Sequence, residues 1–222
     1  MSEIKQAYAG DQLDTLVYDG DVRGRARAAL NRYYNGSFDG GYFDSYDGNV
    51  AEPNPPYAIT GVDLNAVSLL GMGRVMPRIS RAFAASPSIN ATCSELLREI
   101  PIDAALHEVS AATIQPGSAA HELWRTIRAL NGGRNGVTAT KILARKRPHL
   151  LPMVDTEVYE HLGRQEDTWL AIWSWFQDPG NLAAAKQQRD SIQSPLARSG
   201  TGPLSLLRVM DVPMWMMEKG YA

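Results

Sequence analysis

The chain has 222 residues, of which 44% are hydrophobic, 21% charged and 8% aromatic, a composition typical of globular proteins and unlike that of collagenous, disordered or membrane-spanning chains. The formal net charge of −2 does not by itself indicate a nucleic-acid partner. One cysteine, Cys93, and four scattered histidines predict no disulfide, no structural metal and no cofactor. Because the first residues lack an apolar run, we expect a cytoplasmic protein with no membrane partner.

Residues 1–30 have a weak helical pattern, strongest from Val22 to Leu30, where arginine and alanine dominate. Residues 31–56 carry six aromatic side chains among glycine, aspartate and asparagine. This segment is too turn-rich for a helix and lacks the alternation of a strand. We predict a long ordered loop whose aromatic rings pack against the rest of the protein. The alternative is a surface on which bases stack.

Several helices are predicted on either side of the chain centre. One begins at Thr60, where a threonine is followed three residues later by Asp63. Others are expected from Pro77 through Phe83 and from Ser94 to Ile100, and, later in the chain, over 169–176, 182–192 and 204–217, the last with Pro213 kinking or splitting it. No β-α-β alternation and no repeat is present, so we predict one all-α domain over residues 1–222.

A helical hairpin is the most informative local pattern. Helices are expected over 118–130 and 138–146, joined by a glycine-rich turn at residues 131–136. On the second helix Ala139, Ile142 and Leu143 are expected to face inward, while Lys141 and Arg145 face outward. An apolar link ending in Val154 then leads to Asp155, the expected N-cap of a helix over 155–163 closed by Gly163.

Charge is concentrated around this hairpin. Between His121 and Leu150 there are seven basic residues and one acid, a local balance of +6, so the other 192 residues sum to −8. The basic residues are Arg125, Arg128, Arg134, Lys141, Arg145, Lys146 and Arg147. Such a patch favours a polyanion at one face of the protein. The alternative is a solvated helix face that binds nothing.

This stretch resembles the helix-hairpin-helix DNA glycosylases, whose hairpin has the form L-P-G-x-G-x-x-T-A and is followed by an apolar segment ending in V-D-T. The corresponding residues are 131–139, Asn-Gly-Gly-Arg-Asn-Gly-Val-Thr-Ala, then Val154, Asp155 and Thr156. Thr138 and Asp155 are 17 positions apart, the ungapped spacing expected of that family. The resemblance covers residues 118–163. The whole chain also resembles a group of actinobacterial proteins of unknown activity.

The resemblance implies a helix-hairpin-helix bundle that binds double-stranded DNA and hydrolyses the N-glycosidic bond of a flipped base, as in base-excision repair. Asp155 would be the catalytic residue, facing the sugar where positive charge develops. The turn over 132–138 would bind a DNA phosphate. The residues implied in phosphate binding are Gly133, Asn135, Gly136, Thr138, Lys141 and Arg145.

Two positions depart from the family pattern. Asn135 stands where the second hairpin glycine is expected, and asparagine tolerates the left-handed backbone conformation better than most residues do. Val137 stands where members with lyase activity carry a lysine nucleophile, so a monofunctional enzyme is expected. Other hypotheses remain: a DNA-binding or interaction module without catalysis, in which Asp155 only caps a helix, or a hairpin that serves a protein partner.

Overall fold

The computed structural model describes residues 2–48, 53–130, 133–164, 167–194, 197 and 204–222. In this part of the chain the regular elements are all helical, which confirms the all-α prediction. The helices are α1 Ser2–Tyr18, α2 Gly20–Arg32, α3 Gly61–Val67, α4 Met76–Ala85, α5 Pro87–Glu99, α6 Ala119–Ala129, α7 Gly136–Lys146, α8 Thr156–His161, α9 Thr168–Phe176, α10 Pro179–Asp190 and α11 Leu206–Glu218. Among the described residues, no helix combines the length and apolarity needed to cross a bilayer.

Helix ends fall where side chains satisfy free backbone groups. The Asp63 carboxylate accepts a hydrogen bond from the Thr60 N–H at 2.8 Å, at the predicted start of α3. Ser118 accepts from His121 N–H at 3.2 Å and begins α6. Helix α5 begins at Pro87, seven residues before the predicted start at Ser94. Pro213 lies inside α11 without splitting it.

The aromatic-rich segment predicted as a loop over 31–56 is largely irregular but contains two short helical turns, Tyr33–Ser37 and Asp39–Tyr42. Its first two residues belong to α2, and residues 49–52 lie outside the described part. Tyr33, Tyr34 and Phe43 are buried, whereas Tyr42 is exposed. Packing against the rest of the protein is therefore confirmed for most of these rings. Tyr33 and Tyr34 join α2 and α11 in a second apolar cluster beside the main core.

The basic run at the end of α7 is mostly buried. Lys146 forms an ion pair with Asp63 at 3.2 Å and donates to the Pro55 carbonyl at 2.7 Å. Arg147, completely buried, donates to main-chain carbonyls of α5 and of the segment before α3. Desolvation lowers the pKa of both side chains. These cations therefore hold the N-terminal half of the chain onto α7, and they do not belong to a surface patch.

Candidate functional site

The predicted hairpin is formed by α6 and α7, which pack closely against each other. The Trp124 indole N–H donates to the Gly136 carbonyl at 3.3 Å, and the Asn135 amide donates to the Leu130 carbonyl at the end of α6. Two turn residues, Asn131 and Gly132, lie outside the described part of the chain. The two hydrogen bonds fix where α7 begins relative to α6.

The backbone conformations of Gly133 and Asn135 differ. Gly133 has a φ of +79°, in the left-handed region that favours glycine. Asn135 has a φ of −110°, so the left-handed conformation that asparagine tolerates is not adopted at this position. Its side chain instead closes the hairpin by bonding to Leu130. Gly136 is the first helical residue, and a Cβ there would contact only the Trp124 ring, at an ordinary 3.7 Å.

A pair of glycine substitutions tests this account of the turn. Gly133→Val should lower the free energy of unfolding by about 1–2 kcal/mol, because a branched side chain is strained at positive φ. Gly136→Ala is the matched control and should change stability by less than about 0.5 kcal/mol. Urea denaturation measures both. Equal losses for the two variants would contradict the assignment of strain to Gly133.

The prediction that Lys141 and Arg145 face outward from α7 is wrong. Lys141 is buried and donates to the Leu70 carbonyl at 3.2 Å. Arg145 donates to the Phe43 carbonyl at 2.9 Å and also bonds the carbonyl of Tyr46. Both side chains are engaged by distant backbone groups, so neither is free to reach a DNA phosphate. Thr138 and Asn135 are also buried, which leaves Gly133 and Gly136 as the accessible members of the predicted phosphate-binding set.

Asp155 caps α8, as predicted. Its Oδ1 accepts from the Val158 N–H at 3.0 Å, and its Oδ2 lies 3.8 Å from the Lys141 ammonium. The preceding link is held to α7 because the Thr140 hydroxyl donates to the Val154 carbonyl at 2.9 Å. Burial lowers the pKa of Lys141, and the Asp155 carboxylate acts in the opposite direction. The hairpin therefore positions this carboxylate directly.

Two cavities lie beside Asp155. The larger, of about 740 Å³, opens at the hairpin turn, and we name it the hairpin cavity. Its lining combines cationic, aromatic and turn residues: Trp124, Arg128, Gly133, Arg134, Tyr159 and Asp155. Arg128 stacks over the Trp124 ring at 4.9 Å, and Arg128 and Arg134 are both exposed. Of the +6 patch, these arginines and Arg125 are the exposed members.

The smaller cavity, of about 280 Å³, lies between α7, α11 and the aromatic-rich segment, and we name it the aromatic cavity. Its lining includes Tyr33, Phe38, Lys141, Asp155, Asp211 and Trp215. The Tyr33 and Phe38 rings are stacked, with centroids 5.7 Å apart, and Trp215 meets Phe38 edge-on at 6.0 Å. Asp155 lines both cavities.

A buried charge network forms one wall of the aromatic cavity. Arg208 donates to Asp211 Oδ2 at 2.6 Å, to Asp44 at 3.1 Å and to the Tyr33 hydroxyl at 3.1 Å. Desolvation raises the pKa of Asp211 to about 7, against the opposing effect of Arg208. Asp211 Oδ1 has no hydrogen-bond partner among the described residues. Buried charges of this kind are costly and are concentrated at functional sites.

Arg208 and Asp211 were not predicted as site residues from the sequence. They stand at i and i+3 in the apolar segment predicted to form a buried helix over 204–217. A charged pair inside a buried helix was a usable signal, since such groups are rarely buried without a reason. Two hydrogen-bond partners of Arg208, Asp44 and Tyr33, lie 164 and 175 positions away in the chain. Within the described residues, no group of three or more His, Cys, Asp or Glu is arranged to hold a metal ion.

Comparison with known proteins identifies a family. Residues 26–218 match the family described as a family of unknown function, DUF6308. No curated protein and no solved structure matches the chain.

Proposed function

The chain belongs to the DUF6308 family, and we propose that it binds double-stranded DNA and hydrolyses the N-glycosidic bond of a flipped base without a lyase step. The observation that carries this proposal is the position of Asp155, in a wall common to the hairpin cavity and the aromatic cavity. A flipped nucleotide needs three things in sequence: a cationic site for its phosphate, a carboxylate beside its sugar, and an aromatic pocket for its base.

The hairpin cavity supplies the phosphate site. The first backbone N–H groups of α7 have no partner within the helix, and the helix dipole favours an anion there. Arg128 and Arg134 add positive charge at the same opening. Gly133 carries no Cβ that could keep a phosphate away. In this proposal, the phosphate is bound by the turn and these two arginines, in place of Lys141 and Arg145.

The Asp155 carboxylate supplies the charge for the reaction. As the glycosidic bond breaks, the sugar becomes positively charged, and a fixed carboxylate in a partly desolvated wall stabilises that charge. Val158 N–H and Lys141 hold the carboxylate in place. The same group then takes a proton from the attacking water. Lys141 is engaged by Leu70 and Asp155, so a Schiff-base lyase step is not part of the proposal.

The test is single-turnover base release from duplexes carrying uracil, hypoxanthine, alkylated, oxidised or mismatched bases. Strand breaks are read before and after alkali. Release that requires alkali for strand breakage supports a monofunctional glycosylase. Strand breakage before alkali contradicts the monofunctional assignment. No release from any duplex overturns the enzymatic proposal.

The second candidate is a DNA-binding module without catalysis. It is favoured by the contacts of Asp155, since both carboxylate oxygens have a structural role, one as a helix cap and one beside Lys141. A cap alone stabilises a protein by about 1 kcal/mol. Under this hypothesis the protein binds DNA in a salt-dependent way but releases no base.

DNA affinity gives a separate prediction that both candidates share. Arg128→Glu with Arg134→Glu should weaken binding and lower the slope of log K against log salt by about 0.9 for each phosphate that the protein no longer neutralises. Arg23→Glu with Arg25→Glu, two exposed arginines of α2, makes the same charge change away from the hairpin cavity. Fluorescence anisotropy at several salt concentrations measures both. Equal slopes of log K against log salt for the two double variants would contradict the assignment of the hairpin cavity as the DNA-binding face.

A further inference from the structure

We propose that the hairpin cavity binds an unpaired nucleotide of a DNA strand, with the phosphate at its exposed arginines and the base against its aromatic side chains. The protein should therefore bind DNA with unpaired nucleotides more tightly than fully paired DNA. This inference rests on the proposed function in one respect, since its ligand is DNA. It goes beyond that function by assigning the hairpin cavity a second nucleotide, next to the flipped one.

The size and lining of the hairpin cavity indicate a ligand larger than a phosphate. Its volume of about 740 Å³ lies within the range of about 300–1,000 Å³ that is typical of pockets for small organic molecules. The lining includes apolar and aromatic side chains, namely Ile114, Trp124, Val137, Val154, Tyr159 and Trp169. A phosphate gains nothing from such a surface, whereas the flat face of a base does.

Tyr159 offers an accessible ring on which a base can stack. It lies on α8 and lines the hairpin cavity, and 37% of its surface is exposed. An exposed aromatic ring gains free energy when a base covers it, and this stacking tolerates any base because every base has a flat face. Other exposed tyrosines, such as Tyr42, lie outside this cavity. Tyr159 is therefore the side chain on which the inference can be tested most directly.

Trp124 and Arg128 form a second surface for stacking. The Trp124 indole N–H donates to the Gly136 carbonyl at 3.3 Å, which fixes the ring at the start of α7. The Arg128 guanidinium lies 4.9 Å from the centroid of that ring, and Arg128 is exposed. Nucleobases stack on guanidinium planes as well as on aromatic rings. Since Arg128 also carries the charge that attracts a phosphate, α6 presents groups for both parts of a nucleotide.

The distribution of charge in the cavity determines where each part of the nucleotide binds. Arg128 and Arg134 are exposed, so their positive charges lie at the opening. Asp155 is buried and Asp167 is half-buried, and their Oδ1 atoms cap α8 and α9 respectively. Negative charge in the interior disfavours a phosphate there, so the phosphate binds at the opening. The base then enters the interior, where the lining includes the buried Trp169.

A fully paired duplex cannot fill this site. Its bases are stacked and paired inside the double helix, and taking one out costs free energy, whereas an unpaired nucleotide enters without that cost. Charge density alone favours the paired duplex, so a preference for unpaired DNA isolates the contribution of stacking. We expect a single strand, or a duplex interrupted by unpaired nucleotides, to bind about 5–100-fold more tightly than a paired duplex.

Fluorescence anisotropy of labelled DNA at one fixed salt concentration tests the inference. The ligands are a single-stranded oligonucleotide, the same sequence as a paired duplex, and that duplex with a short unpaired bulge. Tyr159→Ala should weaken binding of the single strand and of the bulged duplex by about 5–100-fold, and binding of the paired duplex by less than about twofold. Tyr159→Phe keeps the ring and should retain the wild-type preference. Tyr42→Ala removes an exposed tyrosine outside the cavity and, as the control, should change no affinity.

The outcomes separate this inference from the proposed function. If the wild-type chain binds the paired duplex as tightly as the single strand, the inference is overturned and the proposed function stands. Binding of none of the three ligands overturns both. Equal losses of single-strand affinity in Tyr159→Ala and Tyr42→Ala also overturn the inference. A deoxynucleoside monophosphate that competes as well as the unlabelled oligonucleotide overturns the assignment to a DNA strand. The wild-type comparison needs no variant, so it decides the question even if Tyr159→Ala fails to fold.

Discussion

Replacing Asp155 with asparagine is expected to reduce single-turnover base release by about 10²–10⁴-fold. The amide can still accept the Val158 N–H bond that caps α8, so the fold should survive the change. The negative charge opposite the sugar is lost, and so is the ability to take a proton from water. The measurement is release of whichever base the wild-type chain removes, with DNA affinity determined in parallel.

The control for this experiment is Glu160→Gln, which removes a carboxylate from the same helix. Glu160 is exposed and pairs with Arg164, and it lines neither cavity. The release rate of Glu160→Gln should equal that of the wild type. DNA affinity should change by less than about twofold for both variants, because an exposed ion pair contributes little free energy. If Asp155→Asn released the base at the wild-type rate, Asp155 would not be the catalytic residue.

The helix caps and the hairpin could be predicted from the sequence, whereas the functional roles at this site could not be tested in the same way. The caps formed by Ser118 and Asp155 lie within three residues of the N–H groups they bind, so their residue types and spacing were enough. The hairpin was predictable for the same reason. The catalytic role of Asp155 and the phosphate site remain predictions, because they depend on a ligand.

The orientation of the basic residues could not be predicted from spacing. Lys141 was placed outward because helical periodicity put it opposite Ile142 and Leu143, but its partner is a carbonyl 71 positions away at Leu70. A helix buried on most of its surface has no outward face to assign. Long side chains then bury their stems and bond to whatever carbonyls the fold presents.

Because several basic side chains of α7 are buried, a local balance of +6 overstates the positive charge that a polyanion could reach. The buried cations neutralise Asp63 and bond to carbonyl groups inside the protein, and the exposed arginines remain for a ligand. The aromatic cavity is the reverse case. Its rings come from residues 33–38 and from α11, and its charged groups also include Lys141 and Asp155 from the middle of the chain. No local pattern therefore predicted this cavity. The signal in the sequence was the charged pair Arg208 and Asp211 in an otherwise apolar segment.

Arg147→Met is expected to lower the free energy of unfolding by about 3–5 kcal/mol. The guanidinium is completely buried and donates to the carbonyls of Leu97, Ile100 and Pro56. Leu97 and Ile100 lie at the end of α5, where helical carbonyls have no partner inside the helix. A methionine fills a similar volume but leaves these oxygens buried without a donor.

Two further variants make this prediction specific. Arg147→Lys keeps the charge but replaces the planar fork by a single ammonium, so it should lose an intermediate amount of stability. Arg125→Met removes an exposed arginine whose side chain is 64% accessible and should cost less than about 1 kcal/mol. Urea denaturation monitored by circular dichroism ranks the three variants by their loss in free energy of unfolding. A loss for Arg147→Met no larger than that for Arg125→Met would mean that water satisfies these carbonyls as well as Arg147 does, and that α7 is held to the N-terminal half of the chain by other contacts.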